Sequence, residues 1–252
     1  MTPDPTPAHR PFVQGILLDG HECSGKTTIA RLITDGLRAR GRGVTLSHGT
    51  LTKGGLVDAM LREAVATFDG AQDRPFRDPR LWRRFNGIRS AQLVVDAELA
   101  AERGPAEPGA VHVQDRYWLT QQSFNTFLTP GEVYLAPEWA RTRAPRFAVQ
   151  VYLTCSAAAR RERMAARTGP AKHSVNAFLH RHLDEIVRLD ELTTRLVADD
   201  PEWTVLRSDL CSERELAEQV LGLLDAAERA GESTEDGNRV LAHSANGKAL
   251  GS

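Results

Sequence analysis

Apolar residues fall along this chain in short runs separated by longer stretches of helical spacing. Phe12-Val13-Gln14-Gly15-Ile16-Leu17-Leu18-Asp19 has the length of one strand and is predicted to be buried on both faces. In the following TTIARLITDGLRARG, Ile29, Leu32, Ile33 and Leu37 recur as on one face of a helix, and Gly36 and Gly41 punctuate its end. Gly43-Val44-Thr45-Leu46-Ser47 starts a second strand, which completes one βαβ unit of the kind that builds parallel sheets. Residues 56–103 read as mostly helical, with a break near Pro75 and Pro79. Val111-His112-Val113-Gln114 predicts a third strand running into Asp115-Arg116-Tyr117, and Phe147 to Leu153 a fourth. A helix carrying Arg160 to Arg167, a polar TGPAKHSVN stretch and one long helix over about 176–198 follow. Trp203-Thr204-Val205-Leu206 reads as a last strand and residues 213–229 as a last helix. The expected fold class is α/β, with a central parallel sheet of about five strands flanked by helices.

The ends of the chain differ from its middle. Residues 1–11 hold four prolines and predict a flexible lead-in. Residues 229–252 are polar and rich in Gly and Ser, which predicts a disordered tail after one domain spanning 12–228. Over the whole 252-residue chain, 41% apolar and 26% charged residues suit a soluble globular protein with a sizeable core. The net charge of −1 supplies no field for nucleic acid or a membrane surface. Cys23, Cys155 and Cys211 are odd in number and widely spaced, so they indicate neither a disulfide framework nor a zinc site. The N-terminus resembles no signal peptide, and no run of about 18 apolar residues occurs. A cytoplasmic location is the expectation.

The chemistry concentrates where the first strand meets the first helix. Gly20-His21-Glu22-Cys23-Ser24-Gly25-Lys26-Thr27-Thr28 contains G-x-x-x-x-G-K-[ST] without a gap, between a predicted strand and a predicted helix. Two glycines let the backbone curl so that successive N–H groups and the helix dipole face an anion. Lys26 is then expected to bridge the β- and γ-phosphates of ATP, and Thr27 to place its hydroxyl on Mg²⁺. Of 32 basic side chains other than histidine only four are lysines, Lys26, Lys53, Lys172 and Lys248, and one of them takes this position. Cys23 reads as a small loop filler whose thiol, near a helix N-terminus, can have a lowered pKa.

Asp115 ends a strand at the carboxyl edge of the sheet, where it can hold the Mg²⁺, with Arg116 beside it reaching for phosphate. Arg163 and Arg167 lie four apart on a helix that leads into Gly169-Pro170, which suits a lid over about 160–182 closing on ATP; Lys172 and His173 lie in the flap. His180 and His182 are two apart on one predicted helix and point to different sides, so they read as two surface histidines rather than a metal pair. No N-K-x-D occurs, and no D-x-x-G follows the third strand, which argues against a GTPase switch.

Four segments together resemble the thymidylate kinase family of nucleoside monophosphate kinases. These are GHECSGKTT with Glu22 as its loop acid, FNGIRSAQLV with Arg89 and Gln92, DRYWLTQQSFN with Asp115, Arg116 and Tyr117, and VYLTCSAAARRERMAAR with Arg163 and Arg167. WTVLRSDLCSEREL is similar to the family's last strand and adenine-side loop, so the likeness spans about residues 12–226. The resemblance implies a homodimer and a contact between Glu22 and the acceptor sugar. Two departures stand out. Ser47-His48-Gly49-Thr50-Leu51-Thr52-Lys53-Gly54-Gly55 replaces the family's Arg-Glu-Pro-Gly-Gly grip on the acceptor phosphate, leaving only Lys53 as a cation. Thr168-Gly169-Pro170 replaces the Asp-Arg of the lid.

These features leave the phosphoryl acceptor open. A monophosphate is an anionic nucleophile that needs cations, here Arg89, Arg116 and Lys53. A hydroxyl needs a carboxylate to take its proton, here Glu22 or Asp115. The expectation is an ATP- and Mg²⁺-dependent phosphotransferase of thymidylate kinase type acting on a nucleoside monophosphate. The alternatives are an O-kinase acting on a nucleoside or other small molecule, and a non-catalytic nucleotide-binding protein.

Overall fold

A computed structural model describes residues 10–103, 109–167 and 173–246, with residues 232–246 by backbone alone. The first strand, β1 (Phe12–Asp19), pairs in parallel with β3 (Val111–Asp115) on one side and β4 (Arg146–Thr154) on the other. Adding β2 (Val44–His48) and β5 (Thr204–Arg207) gives an all-parallel five-stranded sheet of order β2-β3-β1-β4-β5. The chain steps from β1 to β2 on one edge, returns to β3, and then crosses to β4 and β5 on the other. The crevice at the carboxyl ends, where that order reverses, is where open sheets of this kind bind ligands.

Both faces of β1 are covered, because its side chains alternate with a period of two. Ile16 and Leu18 pack with Ile29, Ile33 and Leu37 of α1 (Lys26–Ala39) and with Val220 and Leu224 of α9 (Glu213–Asn246). Leu17, between them, faces Leu93 of α3 (Pro79–Arg103), Tyr117 and Tyr152 on the opposite face. Each such aliphatic side chain contributes roughly 1.5–3 kcal/mol by leaving water. A third cluster, with Phe68, Phe76, Trp82, Phe85, Phe124 and Phe178 at its centre, fills the space between α2 (Gly55–Ala66), α3 and α4 (Trp118–Leu128).

Besides the short α5 (Pro137–Thr142), which no pattern in the sequence predicts, three elements differ from their sequence expectations. The helix α4 is unforeseen, because WLTQQSFNTFL buries polar and apolar residues alike and shows no single apolar stripe. The long helix expected over 176–198 is two, α7 (Ser174–Arg181) and α8 (Leu183–Val197), after the short α5 (Pro137–Thr142) and α6 (Ala157–Ala165). The break falls at His182, which leaves helical angles (φ −112°, ψ 40°) and packs its ring on Phe178 (4.6 Å) and Phe76 (5.4 Å). His182 is therefore not the surface residue that the sequence indicates. The third difference is that α9 runs to Asn246, through residues expected in a disordered tail. That stretch holds no proline to stop a helix. Residues 1–9 of the lead-in, Thr168-Gly169-Pro170 and Lys172 of the flap, and residues 247–252 with Lys248 lie outside the described residues.

Candidate active site

The glycine loop leaves β1 through a bend that only glycine fits. Gly20 sits at φ 147°, and a Cβ on it would lie 2.3 Å from the carbonyl oxygen of Leu153. Gly25 caps α1 in the left-handed region at φ 93°. Asp19, fully buried at the strand's end, fastens this bend to α4. Its carboxylate accepts from the amides of Gly20 (2.8 Å), Leu119 (3.0 Å) and Thr120 (3.3 Å), and so also serves the free N–H groups at the start of α4.

The lysine of the loop lies over it. Lys26 Nζ donates to the carbonyl of His21 (2.7 Å) and to Ser24 Oγ (3.2 Å), so it spans the concavity where an anion would rest. Burial is the main cause that brings the Lys26 pKa down to about 8, with Arg116 adding to it. His21 is buried behind the loop, between Thr193 (3.0 Å) and Ser123 (3.2 Å), and burial holds its pKa well below the ordinary value. Burial also raises the Cys23 thiol, which corrects the lowered value expected from its place near α1.

Thr27 Oγ1 donates to Asp115 Oδ2 (2.7 Å), so the structure brings together the two residues expected at the metal. His48 Nδ1 reaches the same oxygen at 2.9 Å, and Asp115 Oδ1 is buried without a hydrogen-bond partner. An orphaned carboxylate oxygen beside a threonine hydroxyl fits Mg²⁺, which takes one or two protein oxygens and fills its octahedron with phosphate and water. Burial opposes ionisation of Asp115, but the bond to His48 and the charge of Lys26 outweigh it and hold its carboxyl below the usual range.

Glu22 turns inward. Its carboxylate is buried and accepts from Arg116 Nη2 at 2.7 Å, an ion pair between residues far apart in the chain. Burial raises its pKa, yet Arg116 and Lys26 together hold it well below the ordinary carboxylate range, so it is charged near neutrality. Arg116 adopts φ 67°, a left-handed conformation that costs a non-glycine residue about 1–3 kcal/mol, and its Nε is buried without a partner.

The two arginines expected to act as one lid pair divide. Arg163 Nη1 donates to the carbonyl of Cys23 (3.2 Å) and to Ser208 Oγ (2.7 Å), so it brackets the loop from the β5 side. Arg167 approaches His180 Nε2 (2.9 Å) and lines the cleft. Arg160, a residue that the sequence does not single out, is fully buried; it donates to the carbonyl of Glu22 and pairs with Asp190 at 2.6 Å. Replacing Arg160 with Ala strands the buried Asp190 carboxylate. A loss of about 3 kcal/mol of stability is expected, read as a lowered urea midpoint at unchanged slope.

The acceptor residues named from sequence also separate. Arg89 Nη2 donates to the carbonyl of Gly49 (2.6 Å), its Nη1 donates to Gln92, and Gln92 donates to the carbonyl of Val57 (3.0 Å). Together with Asp96, which accepts from the amides of Leu51 and Thr52 (both 2.7 Å), they brace the loop after β2. The Tyr117 ring is buried in the core. Lys53 and Arg116, by contrast, line a cleft of about 860 Å³ together with Glu22, Lys26, Asp115 and Arg167. Asp19, His48, Asp96, Arg160 and Asn176 of α7, which also lines the cleft, were missed because single polar residues in a strand, helix or loop carry no motif; an Asp closing an apolar strand was the one available signal.

No protein-family profile matches this chain, and no curated protein matches it. Among solved structures it is similar to deoxyadenosine kinase from M. mycoides with products dCMP and a flexible dCDP bound. The TM-score is 0.50 and the identity 11%, over 84% of this chain and 99% of that one. With the parallel sheet and the loop, this likeness gives the chain the P-loop kinase fold. Among the described residues no helix is long and apolar enough to cross a membrane.

Proposed function

We propose that this chain transfers the γ-phosphoryl group of ATP, with Mg²⁺, to a hydroxyl of a small-molecule acceptor. The observation that carries the reading is the Glu22 carboxylate, buried in the cleft, held charged by Arg116 and set beside Lys26. The arginines that a monophosphate acceptor needs are engaged elsewhere: Arg116 with Glu22, and Arg89 with Gly49 and Gln92. The structural neighbour, a kinase of deoxyadenosine, agrees with a hydroxyl acceptor on this fold.

In this reading the loop amides and Lys26 hold the triphosphate, while Thr27 and Asp115 would hold Mg²⁺, which would supply charge neutralisation to the phosphates. Glu22 accepts the hydrogen bond of the acceptor hydroxyl and aims its oxygen in line with the γ-phosphorus. The transition state of phosphoryl transfer is loose, so the hydroxyl proton leaves late and a carboxylate of low pKa still serves. Arg167 and α7 supply the described part of a lid that closes over the cleft, within a catalytic domain spanning 12–228.

The test is ADP release with Mg-ATP and hydroxyl acceptors set against nucleoside monophosphates. Turnover with hydroxyl acceptors supports the reading, and turnover with monophosphates alone contradicts it. The second reading, a nucleoside monophosphate acceptor, draws on Lys53 and Arg167 as cations that line the cleft. ATP affinity should also depend on pH in a defined direction. Lys26 is charged below about pH 8 and neutral above it, so ATP affinity is expected to fall up to about tenfold per unit above that point, measured by titration at fixed Mg²⁺.

A further inference from the structure

The cleft has a chemical character that narrows the acceptor. Apart from Cys23, Gly25, Ala30, Leu46 and Met164, every residue lining it carries a polar side chain. None of the eight Phe, four Trp and three Tyr side chains of the chain lines it. Nor can the undescribed segments supply one, because residues 1–9, 104–108, 168–172 and 247–252 contain no Phe, Trp or Tyr.

The aromatic residues are spent elsewhere. Trp82, Phe85, Phe124 and Phe178 pack on one another with ring centroids 5.1 to 6.3 Å apart. Tyr117, Trp118, Tyr152 and Trp203 belong to the core under the sheet, and the exposed Phe12 starts β1, at the end of the strand away from the loop. What lines the cleft beside the loop instead is a set of hydrogen-bonding groups: Glu22, His48, Lys53 and Asp115, with Asn176 and His180 of α7. The cleft imidazoles act as polar groups, since His48 is tied to Asp115 and His180 to Arg167 through ring nitrogens. Arg116 Nε is a buried donor still without an acceptor.

Resting on the hydroxyl-acceptor reading above, we infer that the acceptor is a small polyhydroxylated molecule, a sugar or cyclitol that carries no nucleobase. Stacking of one base on an aromatic side chain is worth about ten- to a hundredfold in affinity, and this cleft forgoes it. A wall of donors and acceptors penalises a ligand that leaves them unpaired, by as much as about ten-thousandfold where the groups are enclosed. Adjacent hydroxyls, each both donor and acceptor, satisfy such a wall; the flat apolar face of a base does not. The transfer itself keeps its balance: the γ-phosphorus–oxygen bond of ATP breaks, an ester bond forms to the acceptor oxygen, the hydroxyl proton passes to Glu22, and ADP leaves.

The experiment is a comparison of kcat/KM for ADP release by the full chain with Mg-ATP. The acceptors are D-ribose, myo-inositol and 2-deoxystreptamine on one side, and adenosine and thymidine on the other. The best polyol is expected to exceed the best nucleoside by at least about tenfold, and Asn176→Ala to raise the KM for that polyol about tenfold at unchanged KM for ATP. A nucleoside that matches or exceeds every polyol overturns the inference and leaves hydroxyl transfer standing. ADP release from no hydroxyl acceptor, by protein that binds ATP, overturns both.

Discussion

Replacing Lys26 with Ala is expected to lower phosphoryl transfer by about a thousandfold or more, for every acceptor, with the fold intact. The ammonium is the one cation that the loop itself supplies. It already lies over the concavity, on the carbonyl of His21 and the hydroxyl of Ser24. An incoming phosphate exchanges those weak neutral acceptors for a polyanion, and the charge that develops as the γ-phosphoryl moves is met by Lys26. Alanine leaves the β1–α1 turn unaltered, because that turn rests on Gly20, Gly25 and Asp19 rather than on the lysine. Far-ultraviolet circular dichroism should therefore be unchanged while ADP release falls to background. Turnover within tenfold of the parent protein would remove the glycine loop from the mechanism.

Glu22→Gln has the second largest expected effect, and its sign separates the two acceptor readings. Glutamine keeps the shape of the side chain but cannot take a proton, so with a hydroxyl acceptor kcat is expected to fall about 10²- to 10⁴-fold. The KM for ATP should stay within about threefold, since the triphosphate is held by the loop amides and Lys26. With a monophosphate acceptor the outcome reverses. The substitution frees Arg116 from its 2.7 Å ion pair and removes a buried negative charge from the path of the phosphate, so activity should hold or rise.

The parts legible in the sequence are those set by local physics. Five strand-length runs became five strands: β1 and β4 in the middle of the sheet show it by long buried apolar stretches, while β2 and β5 at the edges, only partly buried, show it by short Val/Leu-bearing runs between turn residues. The loop was legible because two positive-φ glycines and a lysine at fixed spacing leave few other uses. The rest depends on contacts between residues far apart in the chain. Arg163 and Arg167 are indistinguishable as members of one helical face, yet one meets Ser208 after β5 and the other faces α7. Glu22 is legible as the loop acid, but its partner is not, because Arg116 arrives from the end of β3. Arg89 and Gln92, apt for an acceptor by their spacing, find the backbone of the loop after β2 first. α4 escaped because its inner face is polar: Asn125 and Gln121 bond Ser90 and Asn86 of α3, a pairing invisible to a hydrophobic pattern. The break at His182 has the same origin, since its ring follows Phe76 and Phe178 rather than the helix axis.

The central claim is that the phosphoryl group goes to a hydroxyl that Glu22 receives. The most direct measurement uses terminally labelled ATP, Mg²⁺ and an equimolar mixture of thymidine monophosphate, thymidine and myo-inositol, followed by separation of the products. The account predicts label in a phosphomonoester newly formed on a hydroxyl, lost in the Glu22→Gln protein. Label found in thymidine diphosphate alone, and retained in that variant, would contradict it.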